Sequence, residues 1–444
     1  MKNLFKYIIC VTVICFSVQA FAKQEEKEKE PDVYELLNLF GEVLERTKAS
    51  YVEETSDKKL IESAINGMLV SLDPHSSFLD TKSYKYMNEQ TKGKFGGLGI
   101  EVTMENGVVK VVSPIDDTPA ARAGIKAGDY ITDIDDEAVM GQTLNEAVDK
   151  MRGKVGTKVK LTISRAGEKP FDVTIKREEI KIQSVKSEIK NDDVSYIRVS
   201  SFTEDVADGV KKAFEKHQKE TKNKIRGIVL DLRNNPGGLL DQAVALSDLF
   251  LNRGEIVSTR SRNKEDTIKF SAKDGDVTNG LPLVVLINEG SASASEIVAG
   301  ALQDHHRAIL LGEKSFGKGS VQTIIPLGHY GAMRLTTARY YTPSGRSIQA
   351  EGIEPDILVK QAKIEVIDHY YNISEANLKN ALKNEQKEAK KDEKSKTEEE
   401  KKEDNEISDY QLVRALDLVK ALSLYGAEMT MVEEKEDTKA KEKK

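Results

Sequence analysis

The strongest constraint on the fold is an alternation, after about residue 178, of short apolar runs with amphipathic stretches. The runs VSYIRVSSF, GIVLDLR, PLVVLIN and AILLG are typical of strands, and the last three are almost wholly apolar. Stretches with a helical apolar period separate them, such as ADGVKKAFEKHQKE, LLDQAVALSDLFL and ASEIVAGALQ. Continuously apolar strands are buried on both faces, so this region is predicted to be an α/β core with a mostly parallel sheet covered by helices.

The chain length and the changes in sequence pattern along it indicate further domains. Its 444 residues exceed the roughly 100 to 200 that are usual for one domain. Two amphipathic patterns near the start, VYELLNLFGEVLERTKASYV and LIESAINGMLVSL, predict a packed pair of helices. From about Tyr84 to Arg177 the segments become short and β-rich, interrupted by two short helical patches. The predicted domains are an N-terminal helical region 23–83, a β-rich domain 84–177, an α/β core 178–365 and a C-terminal region 366–444.

The first 22 residues have the pattern of an export signal. Lys2 and Lys6 precede an apolar run, which ends before the small-residue pattern Ala20-Phe21-Ala22. The run is shorter than the about 20 residues that span a bilayer. We therefore expect a secretory signal cut after Ala22 and an exported, periplasmic protein, with an uncleaved inner-membrane anchor as the alternative.

Cysteine content and charge exclude some function classes. Both cysteines, Cys10 and Cys15, fall within the signal, so the mature chain would have none and is not a cysteine protease. Loss of two signal lysines would change the net charge from −7 to −9, which argues against general affinity for nucleic acid. Proteins are the expected partners.

The C-terminal region contains a strongly charged segment, residues 384–406, which is expected to be a solvated linker or an exposed helix. DYQLVRALDLVKALSLY follows as an amphipathic helix with Leu412, Ala415, Leu416, Val419 and Leu422 on one side. We expect this helix to contact another subunit, with folding back onto its own core as the alternative. Residues from about Val432 are predicted to be disordered.

The stretch NEGSASASEIVAG forms the predicted turn from a buried strand into a helix, where α/β folds place their sites. Its serines need a general base, because a serine hydroxyl is a weak nucleophile. His305 and His306 lie at the far end of the helix, about 15 Å away. No carboxylate pattern links the other histidines to a candidate serine. Ser295 is expected to be the helix N-cap.

A lysine remains as candidate base. Lys318 lies between Gly317 and Gly319 in GEKSFGKGSVQTIIPL, a loop of unusual backbone freedom after the strand AILLG. A lysine base must be neutral, so its pKa has to fall from about 10.4 towards 7 to 8, which desolvation can cause. This chemistry predicts a buried lysine without a carboxylate partner.

Several collinear motifs carry a family resemblance. SASASEIVAGALQDHHRAILLGEKSFGKGSVQT, with DLRNNPGG upstream and RLTTARYYTPSGRSIQAEGIEPD downstream, resembles the carboxyl-terminal processing proteases, serine peptidases of family S41 with a Ser-Lys dyad. KFGGLGIEV, SPIDDTPAARAGIKAGDYITDID and LNEAVDKMRGKVGTKVKLTISR resemble a PDZ domain, and the similarity includes SLDPHSSFL. The resemblance implies a crotonase/ClpP-like α/β protease core with an inserted PDZ domain and flanking helical regions, without metal or cofactor.

The same resemblance implies roles for individual residues. The middle serine of the SASAS run, Ser293, would be the nucleophile, Lys318 the base, and Gln322 the residue that orients the lysine. A glutamine suits this role because its carbonyl accepts a hydrogen bond without adding a charge that would keep the lysine protonated. The backbone N–H groups of Ala294 and of either Gly237 or Gly238 would form the oxyanion hole.

In the PDZ region, the backbone N–H groups of Leu98, Gly99 and Ile100 would hold a terminal carboxylate, and the next strand edge would pair with the peptide backbone. Leu144 and Val148 lie at helical spacing with Ala147 and Met151, and either line a side-chain pocket or pack the small core.

The resulting hypothesis is an envelope endopeptidase that captures protein C-termini through its PDZ domain. Its expected partners are protein or peptide substrates with accessible C-termini, a second copy through the terminal helices, and a regulatory adaptor.

The sequence disfavours three alternative functions. A phosphate loop needs Ser or Thr after Lys318, where Gly319 stands. The S-x-x-K motif of penicillin-binding enzymes would use Ser315 and needs a helix, which the flanking glycines oppose. A binding scaffold on an inactive protease fold is disfavoured because all three proposed catalytic residues are present.

Overall fold

The computed structural model describes residues 32–115, 117–273, 275–362 and 409–441, so the predicted signal and most of the charged linker lie outside the described residues. The chain forms two compact units, Met1–Ser71 and Leu72–Lys444. No helix in the described ranges has the length and apolar character needed to cross a membrane.

The N-terminal unit contains α1 (Val33–Ser50) and α2 (Asp57–Val70). Every described side chain of α1 is at least partly accessible, and only Leu69 of α2 is buried. The apolar stripe of α1 is 43% to 66% exposed, at Val33, Leu36, Leu37, Phe40 and Val43. The prediction of a packed pair is therefore wrong for α1, because its apolar stripe stays exposed beside α2.

The second unit opens with β1 (Ser77–Leu79) and α3 (Thr81–Lys92). Asp80 caps α3 by accepting a hydrogen bond from the backbone N of Ser83 at 2.7 Å, and the left-handed Gly93 ends the helix. The prediction that β structure begins near Tyr84 is therefore wrong: residues up to Lys92 are helical.

A small β domain follows. Its elements are β2 (Lys94–Gly97), β3 (Ile100–Glu105), β4 (Val108–Pro114), α4 (Pro119–Arg122), β5 (Tyr130–Ile134), β6 (Glu137–Ala138), α5 (Leu144–Met151), β7 (Lys158–Ser164), β8 (Phe171–Lys176) and β9 (Glu178–Lys181). Strands β3-β4-β5-β7-β8 form one antiparallel sheet, to which β6 adds through β5. Strands β2 and β9 pair with each other where the chain enters and leaves the domain.

The α/β core occupies the remainder. Its elements are β10 (Val185–Lys190), β11 (Val194–Val199), α6 (Val206–Glu220), β12 (Gly227–Asp231), α7 (Leu240–Asp248), β13 (Glu255–Ser261), β14 (Ile268–Ser271), β15 (Leu283–Ile287), α8 (Ala294–Asp304), β16 (Ile309–Gly312), β17 (Ser320–Pro326), β18 (Ala332–Tyr341), β19 (Ile357–Leu358) and α9 (Tyr410–Lys441).

The main sheet has the order β10-β11-β12-β15-β16-β19, and only its β10–β11 pair is antiparallel. Ile228 and Leu230 of β12 pack with the residues of α6, α7 and α8, whereas Val229 lies in the cluster that includes α9. This alternation follows from the two-residue period of a strand. The prediction of a mostly parallel sheet buried on both faces is confirmed.

Helix α9 covers the second face of this sheet. Ala415, Leu416 and Val419 are buried against core strands, and the buried Arg233 side chain donates hydrogen bonds to Asp409 at 2.7 and 2.8 Å. The expectation of a subunit contact is therefore wrong for this helix, because its apolar stripe is buried within its own chain. The helix also continues to Lys441, where disorder was predicted from Val432, because this segment is rich in the strong helix formers Glu and Lys.

A second, antiparallel sheet was not predicted. It has the order β1-β18-β13-β14, and β17 pairs with β18. Strand β17 begins two residues after the glycine-flanked Lys318, so this sheet carries Gln322.

Candidate active site

Two turns at the carboxyl edge of the main sheet are joined by hydrogen bonds. One follows β12 and the other follows β15. The side chains of Asn234 and Asn288 are linked at 2.9 Å, and the backbone N of Ala292 donates to the carbonyl of Asn235, also at 2.9 Å. Neighbouring parallel strands bring these turns together, as expected for a site at such an edge.

Ser293 lies in a strained backbone conformation, with φ 55° and ψ −110°. Non-glycine residues at such angles cost about 1–3 kcal/mol and persist only where surrounding contacts fix them. Ser293 precedes the first turn of α8 as its N-cap residue, so the prediction of Ser295 as N-cap is wrong. The Ser295 hydroxyl instead donates to the Asn235 carbonyl at 2.9 Å, which ties the helix to the β12 turn.

The carboxylate of Glu296 joins the serine turn to the lysine loop. Glu296 is 0% exposed. Its Oε2 accepts hydrogen bonds from the backbone N of Ser293 at 2.8 Å and of Lys318 at 2.9 Å. Its Oε1 accepts from Ser315 Oγ and the backbone N of Gly317, both at 2.6 Å. Four donors thereby satisfy a fully buried negative charge.

Lys318 is partly buried on the loop between β16 and β17. Burial lowers the pKa of its ammonium group, the positive charge of Arg334 lowers it further, and the Glu296 carboxylate opposes both effects. Among the described residues, no carboxylate forms a hydrogen bond or ion pair with its Nζ. Lys318 therefore has the surroundings that a lysine base needs: it is partly buried, and its ammonium group has no carboxylate partner among the described residues.

The flanking glycines are required by the packing of the loop. Gly317 has φ +91°, which favours glycine. A Cβ on Gly319 would stand 2.3 Å from the backbone N of Gln349. The loop therefore approaches its neighbours too closely for larger residues at these two positions.

A cleft of about 720 Å³ brings the candidate residues together. Ser293, Lys318 and Gln322 line it, together with both glycines of the β12 turn. The apolar part of its lining comes from Pro236, Leu239, Leu240, Phe270, Val321 and Tyr340. The Nε2 of Gln322 donates to Ser320 Oγ at 2.9 Å and to Thr336 Oγ1 at 3.3 Å. Its carbonyl oxygen has no hydrogen-bond partner among the described residues.

The glycine turn packs directly against the serine. A Cβ on Gly237 would stand 2.9 Å from the backbone N of Ala294, and one on Gly238 would stand 2.2 Å from the carbonyl of Phe202. The N–H of Gly237 donates to Asn235 Oδ1 at 2.9 Å. Within the described part of the chain, the N–H groups of Gly238 and Ala294 have no such partner.

The candidate peptide-binding residues of the β domain lie between β2 and β3 and on α5. Gly99 has φ +77°, and a Cβ there would clash with Thr118 at 2.3 Å, so this turn requires glycine. The Leu98 side chain is buried in the domain core. Leu144 and Val148 are only partly buried, and Val148 also lines a cavity of about 810 Å³ that reaches Arg334. Ala147 and Met151, by contrast, are fully buried core residues.

The described histidines do not form a catalytic pair with a serine in the cleft. Ser195 Oγ and His217 Nδ1 lie 2.8 Å apart, but they are 0% and 2% exposed and form a core contact. His305 ends α8 and bonds the carbonyl of Glu255. Burial and the positive charges of Lys318 and Arg334 lower the pKa of His75, and the Asp73 carboxylate opposes them.

The S-x-x-K alternative is excluded by the backbone. Residues 313–319 are not helical, and the buried Ser315 hydroxyl is bonded to Glu296 and, as acceptor, to the backbone N of Ile353 at 2.7 Å. Ser315 therefore has a structural position beside the cleft.

Sequence reasoning missed Glu296 and Arg334. Glu296 stands three residues after Ser293, which is the S-x-x-E spacing of a capping box. This spacing indicates Ser293 as the N-cap, whereas the N-cap was predicted at Ser295. Arg334 carries no local signal, because its position depends on the pairing of β17 with β18.

Comparisons with known proteins identify the family of the chain. The family model for Peptidase family S41 matches residues 193–359, a PDZ domain model matches 96–176, and a model for the activating protease CtpB N-terminal domain matches 13–83. The solved structure of a photosystem II D1 C-terminal processing protease is similar at 29% identity and a TM-score of 0.42, over 73% of this chain and 92% of that one.

Two relatives extend over most of the chain. The carboxy-terminal-processing protease of Bartonella bacilliformis is 54% identical over 387 residues, which cover 86% of this chain and 89% of the relative. The carboxy-terminal processing protease CtpA of Bacillus subtilis is 39% identical over 329 residues, which cover 73% and 70%. The chain therefore belongs to the carboxy-terminal processing proteases of peptidase family S41 and is a serine peptidase with a PDZ domain.

Proposed function

We propose that this peptidase cleaves proteins near their C-termini with Ser293 as nucleophile and Lys318 as general base. The observation that carries the proposal is the shared cleft: Ser293, Lys318 and Gln322 line one cavity, and burial lowers the pKa of the lysine there. A lysine with a lowered pKa is neutral in a larger fraction of molecules near neutral pH, and a neutral amine can accept a proton.

The proposed reaction uses the two side chains of this cleft. Lys318 Nζ takes the proton of Ser293 Oγ as the oxygen attacks the scissile carbonyl. The lysine then gives this proton to the leaving amine, and an acyl-enzyme remains on Ser293. A water molecule, deprotonated by Lys318, releases the acid and restores the serine. The carbonyl of Gln322 accepts a hydrogen bond from Lys318 and orients its lone pair towards Ser293.

The backbone N–H groups of Gly238 and Ala294 are proposed to stabilise the oxyanion. Both are without a protein partner among the described residues, whereas the N–H of Gly237 is already donated to Asn235. This difference favours Gly238 over Gly237 as donor, and Gly237 then serves the close approach to Ser293. Preorganised donors of this kind act on the charge that develops during attack.

Substrate selection is proposed to use two surfaces. The N–H groups of Leu98, Gly99 and Ile100 would hold the terminal carboxylate, and the partly exposed Leu144 and Val148 would contact the last side chain. In the catalytic cleft, the apolar lining favours an apolar residue next to the scissile bond.

Location and assembly are part of the same proposal. The signal pattern of residues 1–22 supports export to the periplasm, where a regulatory adaptor could also act. The exposed apolar stripe of α1 supports homo-oligomerisation through the N-terminal helices. Sedimentation analysis of the wild type beside Leu37→Asp tests this assembly, and an unchanged mass would contradict it.

Peptide cleavage followed by mass spectrometry tests the chemistry. The substrate is a peptide with an apolar free C-terminus, offered beside the same peptide with an amidated C-terminus. Ser293→Ala and Lys318→Ala should each abolish cleavage. Lys314→Ala is the matched control, because this lysine of the same loop is exposed and pairs with Glu354 at the surface. Retained turnover in Ser293→Ala refutes the assignment, and equal cleavage of both peptides refutes carboxylate capture.

A further inference from the structure

The segment SLDPHSSFL belongs to the resemblance but has no part in the chemistry described so far. Its strand β1 pairs antiparallel with β18, and Ser77 lies opposite Arg334. The residues just before β1 therefore lie beside the strand that flanks Gln322, although more than 200 residues separate them from it in sequence.

Asp73 organises this segment. Its carboxylate accepts hydrogen bonds from the backbone N of His75 at 2.8 Å and of Ser76 at 3.0 Å, and from Ser76 Oγ at 2.7 Å. A fourth comes from Thr336 Oγ1 at 3.1 Å. Burial raises the pKa of Asp73, but these hydrogen bonds outweigh it and hold the pKa below its ordinary value. Asp73 is therefore a carboxylate at neutral pH, and it can only accept hydrogen bonds.

The hydroxyl of Thr336 connects Asp73 to Gln322. A hydroxyl has one proton, which Thr336 donates to Asp73 Oδ1 at 3.1 Å. Only its lone pairs remain for Gln322, whose Nε2 lies 3.3 Å from Thr336 Oγ1. Gln322 must then turn its NH₂ group to Thr336, the same group that donates to Ser320 Oγ at 2.9 Å. Among the described residues, its carbonyl oxygen has no hydrogen-bond partner.

We propose that Asp73 and Thr336 are positioning residues that fix the orientation of the Gln322 amide, so that its carbonyl and not its NH₂ group meets Lys318. This inference rests on the proposed role of Gln322 as the residue that orients the lysine. The NH₂ group of a reversed amide would donate towards Lys318, compete for the lone pair that must accept the serine proton, and slow the chemical step.

The test compares steady-state cleavage by Thr336→Val, Thr336→Ser and Thr337→Val. Thr336→Val keeps the shape of the side chain and removes the hydroxyl, so kcat should fall about 10-fold with KM nearly unchanged, as expected for the loss of about one hydrogen bond. Thr336→Ser retains the hydroxyl and should restore kcat. Thr337→Val is the matched control, because the neighbouring hydroxyl bonds the exposed Thr323 at 2.7 Å and should leave kcat unchanged.

A double-mutant cycle separates positioning from a general structural effect. Thr336→Val should cost nothing further in a Gln322→Ala background, and Asp73→Ala should behave in the same way. The proposed positioning role would be overturned if Thr336→Val lowered kcat by the same factor in the wild-type and Gln322→Ala backgrounds. A wild-type kcat for Thr336→Val would overturn it as well. The proposed dyad has its own criterion, because turnover by Ser293→Ala would reject it whatever the threonine variants do.

Discussion

The substitution Glu296→Gln tests whether one buried carboxylate fixes the positions of the proposed nucleophile Ser293 and the proposed base Lys318 relative to each other. Glutamine has nearly the same shape and keeps one acceptor oxygen. In the wild type, two donors meet each carboxylate oxygen: Ser293 N and Lys318 N at one, Ser315 Oγ and Gly317 N at the other. Whichever oxygen becomes NH₂, two donors lose their acceptor.

The expected loss of stability follows from this count. A hydrogen bond to a charged group contributes about 1.5–3 kcal/mol, so two lost bonds cost about 3–6 kcal/mol. Relief from burying a charge offsets part of this cost, which leaves about 2–4 kcal/mol in the free energy of unfolding. The loss should fall on the α/β core, since all four donors belong to it.

The same substitution changes the lysine. The Glu296 carboxylate raises the pKa of Lys318 against the effects of burial and Arg334. Removal of this charge lowers the pKa further, so the acid limb of kcat/KM moves to lower pH. The plateau should fall as well, because the strained Ser293 loses the acceptor of its backbone N–H.

The assay combines urea unfolding with kcat/KM for peptide cleavage between pH 5 and 9. Glu289→Gln is the control, because this exposed carboxylate lies in the same turn and should change neither measurement. Glu296→Gln with wild-type stability, or with an acid limb displaced to higher pH, would refute the assigned role of this carboxylate.

Three further outcomes are expected. Lys318→Met should be inactive yet more stable than the wild type at pH 6 by thermal melting, because a folded pKa below the unfolded 10.5 costs stability at every pH below that value. Gly238→Ala should lower kcat about 100-fold or more, because its Cβ would meet the carbonyl of Phe202 at 2.2 Å and displace a proposed oxyanion donor. A normal kcat would show that the N–H of Gly238 does not stabilise the oxyanion. Asp409→Ala leaves buried Arg233 without one carboxylate partner and should unfold in less urea than the wild type, whereas an unchanged midpoint would show that this ion pair adds no stability.

Local patterns were enough to predict the α/β core and its strands. Each central strand carries a continuous apolar run, and each covering helix has an apolar stripe, so period alone identified them. Ser293 and Lys318 came from contiguous motifs, and the structure brings them into one cleft. The proposed role of Lys318 as a base also requires a lowered pKa, and burial lowers the pKa of this lysine.

Features that depend on distant pairing were beyond the sequence. Arg334 reaches Lys318 because β17 and β18 form a hairpin, and Asp73 reaches Thr336 from a segment 263 residues away. Neither contact can be predicted from the local periodicity of apolar residues. Helix α9 shows a related limit, since an apolar stripe indicates that a helix needs a partner surface but does not identify the surface.

The charges around Lys318 act in opposite directions for a chemical reason. In the proposed mechanism the resting Lys318 must be neutral, which burial and Arg334 favour. It must also become a cation when it takes the proton of Ser293, which Glu296 favours. A base is most effective when its pKa lies near the working pH, so neither influence alone would serve. The backbone contacts of Glu296 place this compensating charge at a fixed position between serine and lysine. A single buried carboxylate thus contacts both the proposed nucleophile and the loop of the proposed base, and its four hydrogen bonds offset the cost of desolvating it.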